Sequence, residues 1–579
     1  MSLRIRLSLF VLLALAALAG AGCGSSSTGT TVDPANAVPA TAALYAGAVV
    51  RPEGALQKAA QAAGSTLTHQ SDPYLRLLGA LQTPGSPRPD FKRDIAPWLG
   101  LRAGIFLSSV GSGGKSSEAA ISKLLTLVEQ GLLGTTPSSG SFPFAAHSVE
   151  GAIVLDTRDV AKARSFLQAL AKRAGAHTSS YRGTSYQVAD GIAFGVVARL
   201  AVIGTEPALR SVIDTTSGGG LSLAHSPSYA KLQAAAPAGT LAHVYANPGA
   251  VSETTGGKAS AQGASSLLSL LGGQRLLNVS LVPSSTSFAL DVDAVAPDSG
   301  TASAGLLSAS PQASQALGEL PGESWLAVGL GNVGSALGAN ANALQGIGSL
   351  GSLLTGTSSA PAAGLSVPGL LEGLLKPLSV LGAGTAETKR DFTSWMGSAG
   401  LFASGTGLLE LKGGVVIDSK DPIGSRAAVA KLGAKLREGG GSVQRVSIRG
   451  TEAALAAHLS GLPVVLDIAD GRDSSGAAKF VIGIGEQSVE AALNPSSTLS
   501  GAASYGTAGA ALGQGIQPSV LVEFPTLLGL LEGVGLSEDP TVAPLVPYLR
   551  SLATLSGGGT KLGNGVERFR LVVGLQGSS

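Results

Sequence analysis

The sequence is poor in cysteine, in charged side chains and in aromatic side chains. A single cysteine in 579 residues allows no disulfide within one chain. Charged residues make up 13%, about half the usual share of a globular protein, and aromatic residues make up 4%. A chain with few rings and a formal net charge of only +2 lacks the basic surface and the stacking side chains that nucleic-acid binding uses, so nucleic acid is not expected as a partner.

The one cysteine, Cys23, stands at the end of an apolar N-terminal run. Arg4 and Arg6 precede the apolar core 7–18, and small residues lead up to the thiol. The run is shorter than the roughly 20 apolar residues of a membrane span, so it predicts a cleaved signal peptide over residues 1–22. The arrangement resembles the bacterial lipoprotein signal, which implies that Cys23 carries the lipid.

One departure from that signal leaves an alternative open. The lipoprotein pattern favours leucine three residues before the cysteine, where this chain has Gly20. Cleavage after residues 19–21, an Ala-x-Ala-like site, would instead release a soluble secreted protein. We favour the lipoprotein, because an exported chain that cannot form an internal disulfide needs another reason to carry a thiol.

The predicted location is therefore outside the cytoplasm, with the membrane as a partner through lipidated Cys23. Residues 23–35, rich in Gly, Ser and Thr, form the expected flexible tether. Removing residues 1–22 takes away Arg4 and Arg6 and leaves a formally neutral chain. A diacyl group supplies two chains, which is enough for stable anchoring without electrostatic help from the protein.

Short motifs recur in the same order in the two halves of the chain, which predicts an internal duplication. The pairs are Lys92-Arg93-Asp94 with Lys389-Arg390-Asp391, Trp98 with Trp395, residues 103–106 with 399–402, residues 151–156 with 413–418, Ser228-Tyr229 with Ser504-Tyr505, Pro248 with Pro525, and 288–295 with 569–575. We predict two homologous tandem modules over residues 36–297 and 318–577, joined by a linker at 298–317.

Each module is predicted to be α+β, with a mainly antiparallel sheet and packed helices. Runs of β-type pattern alternate with helical segments such as 160–174 and 207–214. The runs between Tyr181 and Gly204 are too close together for crossover helices, so they predict antiparallel hairpins. The Gly/Leu/Ser-rich segment 344–382 is typical of loosely amphipathic helices broken by proline.

Three stretches carry a resemblance to a known family: residues 37–54, 94–106 and 181–214. They resemble an uncharacterised family of exported bacterial lipoproteins, domain of unknown function 3352. The resemblance covers most of the first module and is fainter in the second. It implies a location in the cell envelope and no particular chemistry.

The repeated Lys-Arg-Asp motif with its tryptophan is the one candidate binding site present twice. One interpretation is a paired site in which Arg93 or Arg390 binds an acidic group beside an aromatic wall. The other is structural: Asp94 and Asp391 cap a short helix, Trp98 and Trp395 pack under it, and Gly100 and Gly397 end it. We favour the structural interpretation.

Two glycine motifs are reminiscent of nucleotide sites but lack required residues. Residues 109–116 follow a strand and end in Lys115-Ser116, yet Ser109 replaces the first glycine of a phosphate loop. Residues 329–334 fit G-x-G-x-x-G, yet the first acidic residue beyond them is Glu372, too far on for a ribose contact. No cofactor is predicted.

Catalytic and metal-binding spacings are also missing. The six histidines show no H-E-x-x-H spacing, and no G-x-S-x-G elbow occurs. His147 and Glu150, and Asp291 and Asp293, are interpreted as solvated residues, the latter two on the wet face of a strand. The sequence thus predicts no catalytic residue and no metal site.

Three functions remain open from the sequence. The favoured hypothesis is a non-enzymatic, lipid-anchored envelope protein that binds or scaffolds an envelope protein or polymer. The alternatives are a hydrolase or transferase acting on envelope polymers with a site between the modules, and a carrier of apolar ligands, suggested by the low charge and the segment 344–382.

Overall fold

The computed structural model describes most of the chain beyond the predicted tether. Described are residues 31–68, 91–110, 149–247, 276–295, 310–339, 392–407, 410–459, 464–533, 535, 537, 543 and 546–576. Cys23, Arg390, Asp391 and the segment 344–382 lie outside these ranges. The chain divides into two compact units, the first holding the described residues up to Val295 and the second those from Ser310 onwards.

The first unit is built from antiparallel strands and helices. Its strands are β1 Leu44–Val49, β2 Leu99–Val110, β3 Val149–Thr157, β4 His177–Tyr181, β5 Thr184–Ala189, β6 Ile192–Val197, β7 Leu200–Thr205, β8 Ala242–Ala246, β9 Leu276–Pro283 and β10 Ser287–Val295. Its helices are α1 Gly54–Thr68, α2 Val160–Arg173, α3 Glu206–Thr216 and α4 Pro227–Ala235, with short turns at Pro34–Asn36, Phe91–Ile95 and Leu223–His225. The described strands pair in the order β4-β5-β6-β7-β3-β2-β1-β8-β9-β10, every pair antiparallel.

The second unit has the same kinds of element. Its strands are β11 Ser324–Leu330, β12 Met396–Ser404, β13 Lys412–Ser419, β14 Ser442–Arg445, β15 Thr451–His458, β16 Val465–Arg472, β17 Ala478–Ile484, β18 Val520–Glu523, β19 Leu552–Lys561 and β20 Val566–Leu575. Its helices are α5 Pro311–Gly318, α6 Val333–Ala339, α7 Pro422–Glu438, α8 Glu486–Leu493, α9 Ala503–Leu512, α10 Phe524–Gly533 and α11 Val546–Arg550, with short turns at Leu499–Gly501 and Gly563–Gly565. The described strands pair in the order β14-β15-β16-β17-β13-β12-β11-β18-β19-β20, again all antiparallel. The predicted α+β class with a mainly antiparallel sheet is confirmed.

The strands β4 to β7 form the hairpins predicted between Tyr181 and Gly204. Arg182-Gly183 joins β4 to β5 and Asp190-Gly191 joins β5 to β6, and all four residues have φ between 47° and 77°. Two-residue turns with positive φ match the right-handed twist of paired strands, which is why glycine and aspartate occur there. Strand β4 has an exposed, polar sequence and was not among the predicted runs.

Helix α2 forms the main core of the first unit with one face of its sheet. Asp159 caps the helix by accepting a hydrogen bond from the Lys162 amide at 3.0 Å. Leu167, 2% exposed, packs in the same buried cluster as Phe194 and Trp98. Burying side chains of this size stabilises the fold by about 1.5–3 kcal/mol each.

The opposite face of β8, β9 and β10 is buried as well. Asp291 and Asp293 of β10 are both 0% exposed, so their prediction as solvated residues was wrong. Helix α4 packs against β9 and β10. The alternating pattern correctly separated two faces of the strand, but the polar face is covered by the helix and not by water.

Candidate functional site

The predicted Lys-Arg-Asp motif of the first unit forms a short π-helical turn, Phe91–Ile95, ahead of β2. The Arg93 side chain is 76% exposed and makes a two-pronged contact with Asp94 at 2.8 and 3.0 Å. Trp98 is 2% exposed, donates its indole N–H to the Asp94 carbonyl oxygen at 2.8 Å and packs against Phe166 at 5.4 Å between ring centroids. The motif thus buries the tryptophan in the core and leaves Arg93 beside its own neighbour.

Gly100 lies within β2 and does not end a helix. A Cβ at this position would collide with the carboxylate of Asp156. That carboxylate is buried, and its Oδ2 accepts a hydrogen bond from the Leu101 amide at 3.2 Å. Its Oδ1 has no hydrogen-bond partner among the described residues. The glycine of the motif therefore makes room for the aspartate that closes the repeated strand pattern.

In the second unit only the tryptophan end of the motif is described. Trp395 is 1% exposed and packs against Phe480 at 5.0 Å between ring centroids. Gly397 lies in β12 against Asp418, whose backbone oxygen would be 3.0 Å from a Cβ there. Both tryptophans are core residues, and Arg390 and Asp391 lie outside the described ranges.

Three arginines that the sequence analysis did not single out donate to backbone carbonyl oxygens at the end of the sheet where Trp98 lies. Arg51 donates to the carbonyl oxygen of Leu99 at 3.1 Å, Arg158 to that of Pro97 at 3.2 Å, and Arg199 to that of Thr157 at 3.1 Å. Each follows or precedes a different strand, so the sheet gathers residues that are far apart in sequence. No local signal could reveal them, because each is a lone arginine in a turn.

The N-terminal segment joins the first unit at the same end of the sheet. Asp33 forms an ion pair with Arg102 of β2 at 2.8 Å, and its other carboxylate oxygen accepts from the Ala35 amide at 3.0 Å. Further on, Val38 is fully buried and accepts a hydrogen bond from the Leu223 amide at 2.7 Å. The chain is therefore packed from Asp33 onwards.

The corresponding end of the second unit has a different chemistry. Lys479, on the strand beside Asp418, is 7% exposed and contacts Glu319 at 2.7 Å, Asp418 at 2.5 Å and Asp473 at 3.5 Å. Burial opposes the charged form, but the bonds to Asp418 and Glu319 raise the pKa of Lys479 above its ordinary value. Here one ammonium is surrounded by three carboxylates, so the local charge is negative.

Three buried tyrosines and a partly buried histidine lie together between α4 and the sheet of the first unit. Tyr229 on α4 lies with its hydroxyl 3.0 Å from His243 Nε2, and Tyr45 and Tyr245 pack at 6.0 and 5.3 Å from the Tyr229 ring. Burial lowers the pKa of His243 to about 4 and raises the pKa of Tyr229. At neutral pH the tyrosine is therefore protonated and the imidazole is neutral, and the histidine tautomer decides which of the two donates in their hydrogen bond.

Two glycines create the space for these rings. Gly47 of β1 and Gly104 of β2 face each other across the strand pair. A Cβ at Gly47 would be 2.7 Å from His243 Cε1, and one at Gly104 would be 2.7 Å from Tyr45 Cε2. The rings lie directly on the backbone of the sheet, and only glycine allows this.

Polar side chains continue this layer across the next strands. Gln233 of α4 donates to Asn278 Oδ1 at 3.1 Å, and Asn278 donates to Ser280 Oγ at 2.9 Å. Asp293 and Asp291 are the strand partners of Asn278 and Ser280. Because these side chains are sealed under α4, they specify how the helix seats on the sheet.

The G-x-G-x-x-G match at residues 329–334 does follow a strand and precede a helix, β11 and α6. A Cβ at Gly329 would collide with the Ala313 carbonyl, at Gly331 with Ser310, and at Gly334 with the Thr393 carbonyl. The space that a dinucleotide would need is filled by the protein itself. Of the phosphate-loop match, residues 111–116 lie outside the described ranges.

Groups suited to catalysis or metal binding are sparse in the described part of the chain. No cluster of three or more metal-ligating side chains occurs there. Ser222 Oγ lies 2.7 Å from His225 Nδ1, but the two residues share one short turn and Ser222 is 6% exposed. Among the described helices, none is both long and apolar enough to cross a membrane.

Comparison with known proteins identifies the family and little more. A solved structure of the protein TP0453, crystal form I, covers 47% of this chain and 81% of its own at 10% identity, with a TM-score of 0.24. No curated protein matches. Residues 6–553 match the family model described as protein of unknown function (DUF3352), and the chain belongs to this family.

Proposed function

We propose that this protein is a lipid-anchored component of the bacterial cell envelope that binds or scaffolds a partner and has no enzymatic activity. The observation that carries the proposal is the position of Cys23, the only cysteine, at the junction of a signal-like apolar run and a Gly/Ser/Thr tether. Because the chain has no second cysteine, this thiol cannot form an internal disulfide. Attachment of a lipid gives the thiol another covalent role.

The way the chain enters the first unit supports this. The Asp33–Arg102 ion pair and the buried Val38 pin the segment that follows the tether. Only about ten residues separate Cys23 from this packed segment, so a force on Cys23 would act directly on the sheet. A tether that ends in packed structure suits a protein held at a surface.

The proposal is tested by membrane fractionation of the wild type and of Cys23→Ser, with Ser26→Ala as a control in the same tether. Wild type and control should sediment with membranes, and their N-terminal peptide should carry a diacylglyceryl mass. Cys23→Ser should lose both properties. A wild-type protein found soluble and cleaved after Ala21 would refute lipid anchoring and favour secretion.

We also propose that the two units are homologous tandem modules produced by duplication. The strand order is the same in both, and the glycine pair Gly47–Gly104 has a counterpart in Gly329–Gly400. The isolated bridges Pro39–Ser222 and Pro321–Thr498 also occupy equivalent places. Unrelated antiparallel sheets would not be expected to share all these details.

Limited proteolysis of the full chain tests this division. Cleavage in the predicted linker 298–317, ahead of α5 at Pro311, should leave two fragments, one for each unit, and both should keep the amide protection that they have in the full chain. Progressive loss of one fragment as soon as the linker is cut would show that the units are not independent modules.

The non-enzymatic part of the proposal rests on how the polar groups are used. His243 and Tyr229 are hydrogen-bonded to each other where α4 packs on the sheet, and Lys479 is held by carboxylates. Incubation of the protein with purified cell-wall polymer, followed by mass spectrometry, should yield no new products. New cleavage or transfer products would instead support the hydrolase or transferase alternative.

A further inference from the structure

We propose that the outer face of helix α2 in the first unit binds a polymer of the cell envelope that carries repeated anionic groups. This surface deepens the proposed binding function by giving it a class of partner, and it rests on that function for the location of the partner. The charge, exposure and packing of the helix are independent of the lipid anchor.

Helix α2 contains four cationic side chains and no carboxylate. The four are exposed, and they are Lys162, Arg164, Lys172 and Arg173. Because an α-helix has 3.6 residues per turn, they fall on one half of its circumference, opposite the buried Leu167. A rise of about 1.5 Å per residue spreads them over roughly 16 Å of the helix axis. We call these four residues the basic strip of α2.

Most of this charge is not neutralised within the unit. Lys162 binds the helix cap Asp159 at 3.0 Å. Arg164, Lys172 and Arg173 make no hydrogen bond or ion pair with any residue that the structure describes. The strands β5, β6 and β7, on which α2 packs, contain no charged side chain.

The neighbouring carboxylates do not balance the strip either. Asp94 lies on the turn that packs against α2 and is bound to Arg93. Asp156 is buried, against Gly100 and the Leu101 amide. The exposed Asp190, in the turn between β5 and β6, is the remaining acid near the last turn of α2 on the described elements packed against it. Cations therefore outnumber carboxylates on this side of the unit.

Helix stability does not account for the strip. Cations stabilise the last turn of a helix, where Lys172 lies, but not the first turn, where Lys162 lies. Helix α7, which follows β13 as α2 follows β3, uses its cations inside its own unit. Arg426 of α7 contacts Glu452, and Lys431 lies over the ring of Phe392 at 5.9 Å. The basic strip is therefore available for a partner outside the chain.

The composition of this face favours a polymer over a bilayer. The other exposed residues between the cations are small or polar, namely Ala161, Ser165, Gln168 and Ala169. A helix that lies in a membrane interface inserts an apolar face, but the apolar face of α2 is buried in the core with Phe194. An extended chain with repeated anionic groups can contact several cations along the strip at once, which multiplies weak individual contacts.

The basic strip also lies on the side of the sheet opposite to the entry of the chain. A Cβ at Gly104 would be 3.0 Å from Pro34 Cβ, so the segment after the predicted tether packs on the face of Gly104. Leu107 of the same strand belongs to the core under α2. Residues an odd number apart in a strand point to opposite faces. An anchor at Cys23 would therefore hold the unit by one face and leave the basic strip on the other.

The test uses the chain from residue 23 to residue 579 with Cys23→Ser, so that binding cannot come from a lipid. Surface plasmon resonance compares immobilised long-chain polyphosphate, a defined polyanion, with neutral dextran. The protein should bind the polyphosphate only, and binding should weaken as salt is raised because exposed charges are screened. An exposed ion pair contributes roughly a factor of two in affinity, so the triple variant R164Q/K172Q/R173Q should bind about eightfold more weakly.

The matched control is K58Q/R449Q/K561Q, which removes the same charge from exposed sites elsewhere. This control should bind like the parent chain, and so should R164K/R173K, which keeps the charge of the strip. Equal binding by the triple variant and the parent, or an equal loss in the control, would overturn the proposal. It would also be overturned if the triple variant lost binding to phosphatidylglycerol vesicles and kept binding to polyphosphate, because the strip would then fit a bilayer.

Two further readouts separate the possible failures. Glutamine has a helix propensity close to those of lysine and arginine, so the circular-dichroism spectrum of the triple variant should match that of the parent. If it does not, the single variant Arg164→Gln replaces it, with an expected twofold loss. Failure of polyphosphate binding leaves the diacylglyceryl mass on Cys23 intact, whereas failure of the lipid anchor leaves polyphosphate binding by the unlipidated chain intact.

Discussion

The buried pair of His243 and Tyr229 predicts that the first unit loses stability in mild acid. The pKa of His243 is lowered from an ordinary 6.5 to about 4 by burial. Between pH 4 and pH 6.5, His243 therefore binds a proton in the unfolded chain but not in the folded unit. The stabilisation is fully present above pH 6.5 and is lost as the pH falls towards 4.

The size of the effect follows from the two pKa values. The free energy of unfolding falls by about 1.4 kcal/mol for each pH unit between them. From 6.5 down to about 4 the loss is about 3 kcal/mol. This is a large part of the stability of an ordinary domain, which is about 5–15 kcal/mol.

The assay is urea unfolding followed by pulsed hydrogen exchange and mass spectrometry, because peptides of α4 and α9 report the two units separately. His243→Gln keeps a hydrogen-bonding side chain beside Tyr229 and does not titrate. Carboxylates contribute equally to both chains, so the difference between wild type and variant isolates the imidazole. If both chains lose the same stability between pH 6.5 and 4, the imidazole is not the cause and the reasoning is refuted.

Three further predictions can be checked in the same assay at neutral pH. Trp98→Ala should destabilise the first unit by about 3–5 kcal/mol because it empties a core position, whereas the exposed Arg93→Ala should have little effect; equal effects would contradict the burial of the indole. Gly329→Ala should destabilise the second unit, because its Cβ would collide with a neighbouring carbonyl, while Gly529→Ala, open on a helix, should stabilise it by about 0.5–1 kcal/mol. Lys479→Met should destabilise the second unit by about 1–3 kcal/mol, because it removes the ammonium that binds the partly exposed carboxylates of Glu319 and Asp418; a neutral outcome would show that water already screens them.

Local patterns in the sequence were enough to predict most strands and helices of the first unit. The segment 160–174 is helical over Val160–Arg173, and the segment 207–214 lies within the helix Glu206–Thr216. The family was also predicted correctly, and residues 6–553 confirm it. These successes share a cause, since each depends on residues that are near one another in the chain.

The failures involve contacts between distant segments. Asp291 and Asp293 look solvated in a strand pattern, but a helix some sixty residues earlier in the chain covers them. Gly100 comes two residues after Trp98 and was predicted to end a short helix. It lies in β2 instead, where a side chain would collide with Asp156. The hydropathy of a strand residue does not show which distant part of the chain will pack against it.

The candidate site shows the same limit. The repeated motif offered Arg93 as a candidate binding residue, but its side chain is ion-paired with the neighbouring Asp94. The arginines that converge, Arg51, Arg158 and Arg199, share no motif and are brought together only by strand order. The predicted attachment at Cys23 is a purely local pattern and stays a prediction.

The facing glycines in each sheet have a consequence for how such a protein can change. Gly47 and Gly104 accommodate aromatic rings, whereas Gly400, opposite Gly329, accommodates the side chain of Leu320 just beyond α5. The space left by these glycines does not determine which side chain packs into it. Either unit could therefore carry a titratable or an apolar side chain at this place while the strand register beneath stays the same. In this fold, new side-chain chemistry can therefore appear on the face of the sheet without any change in the strands.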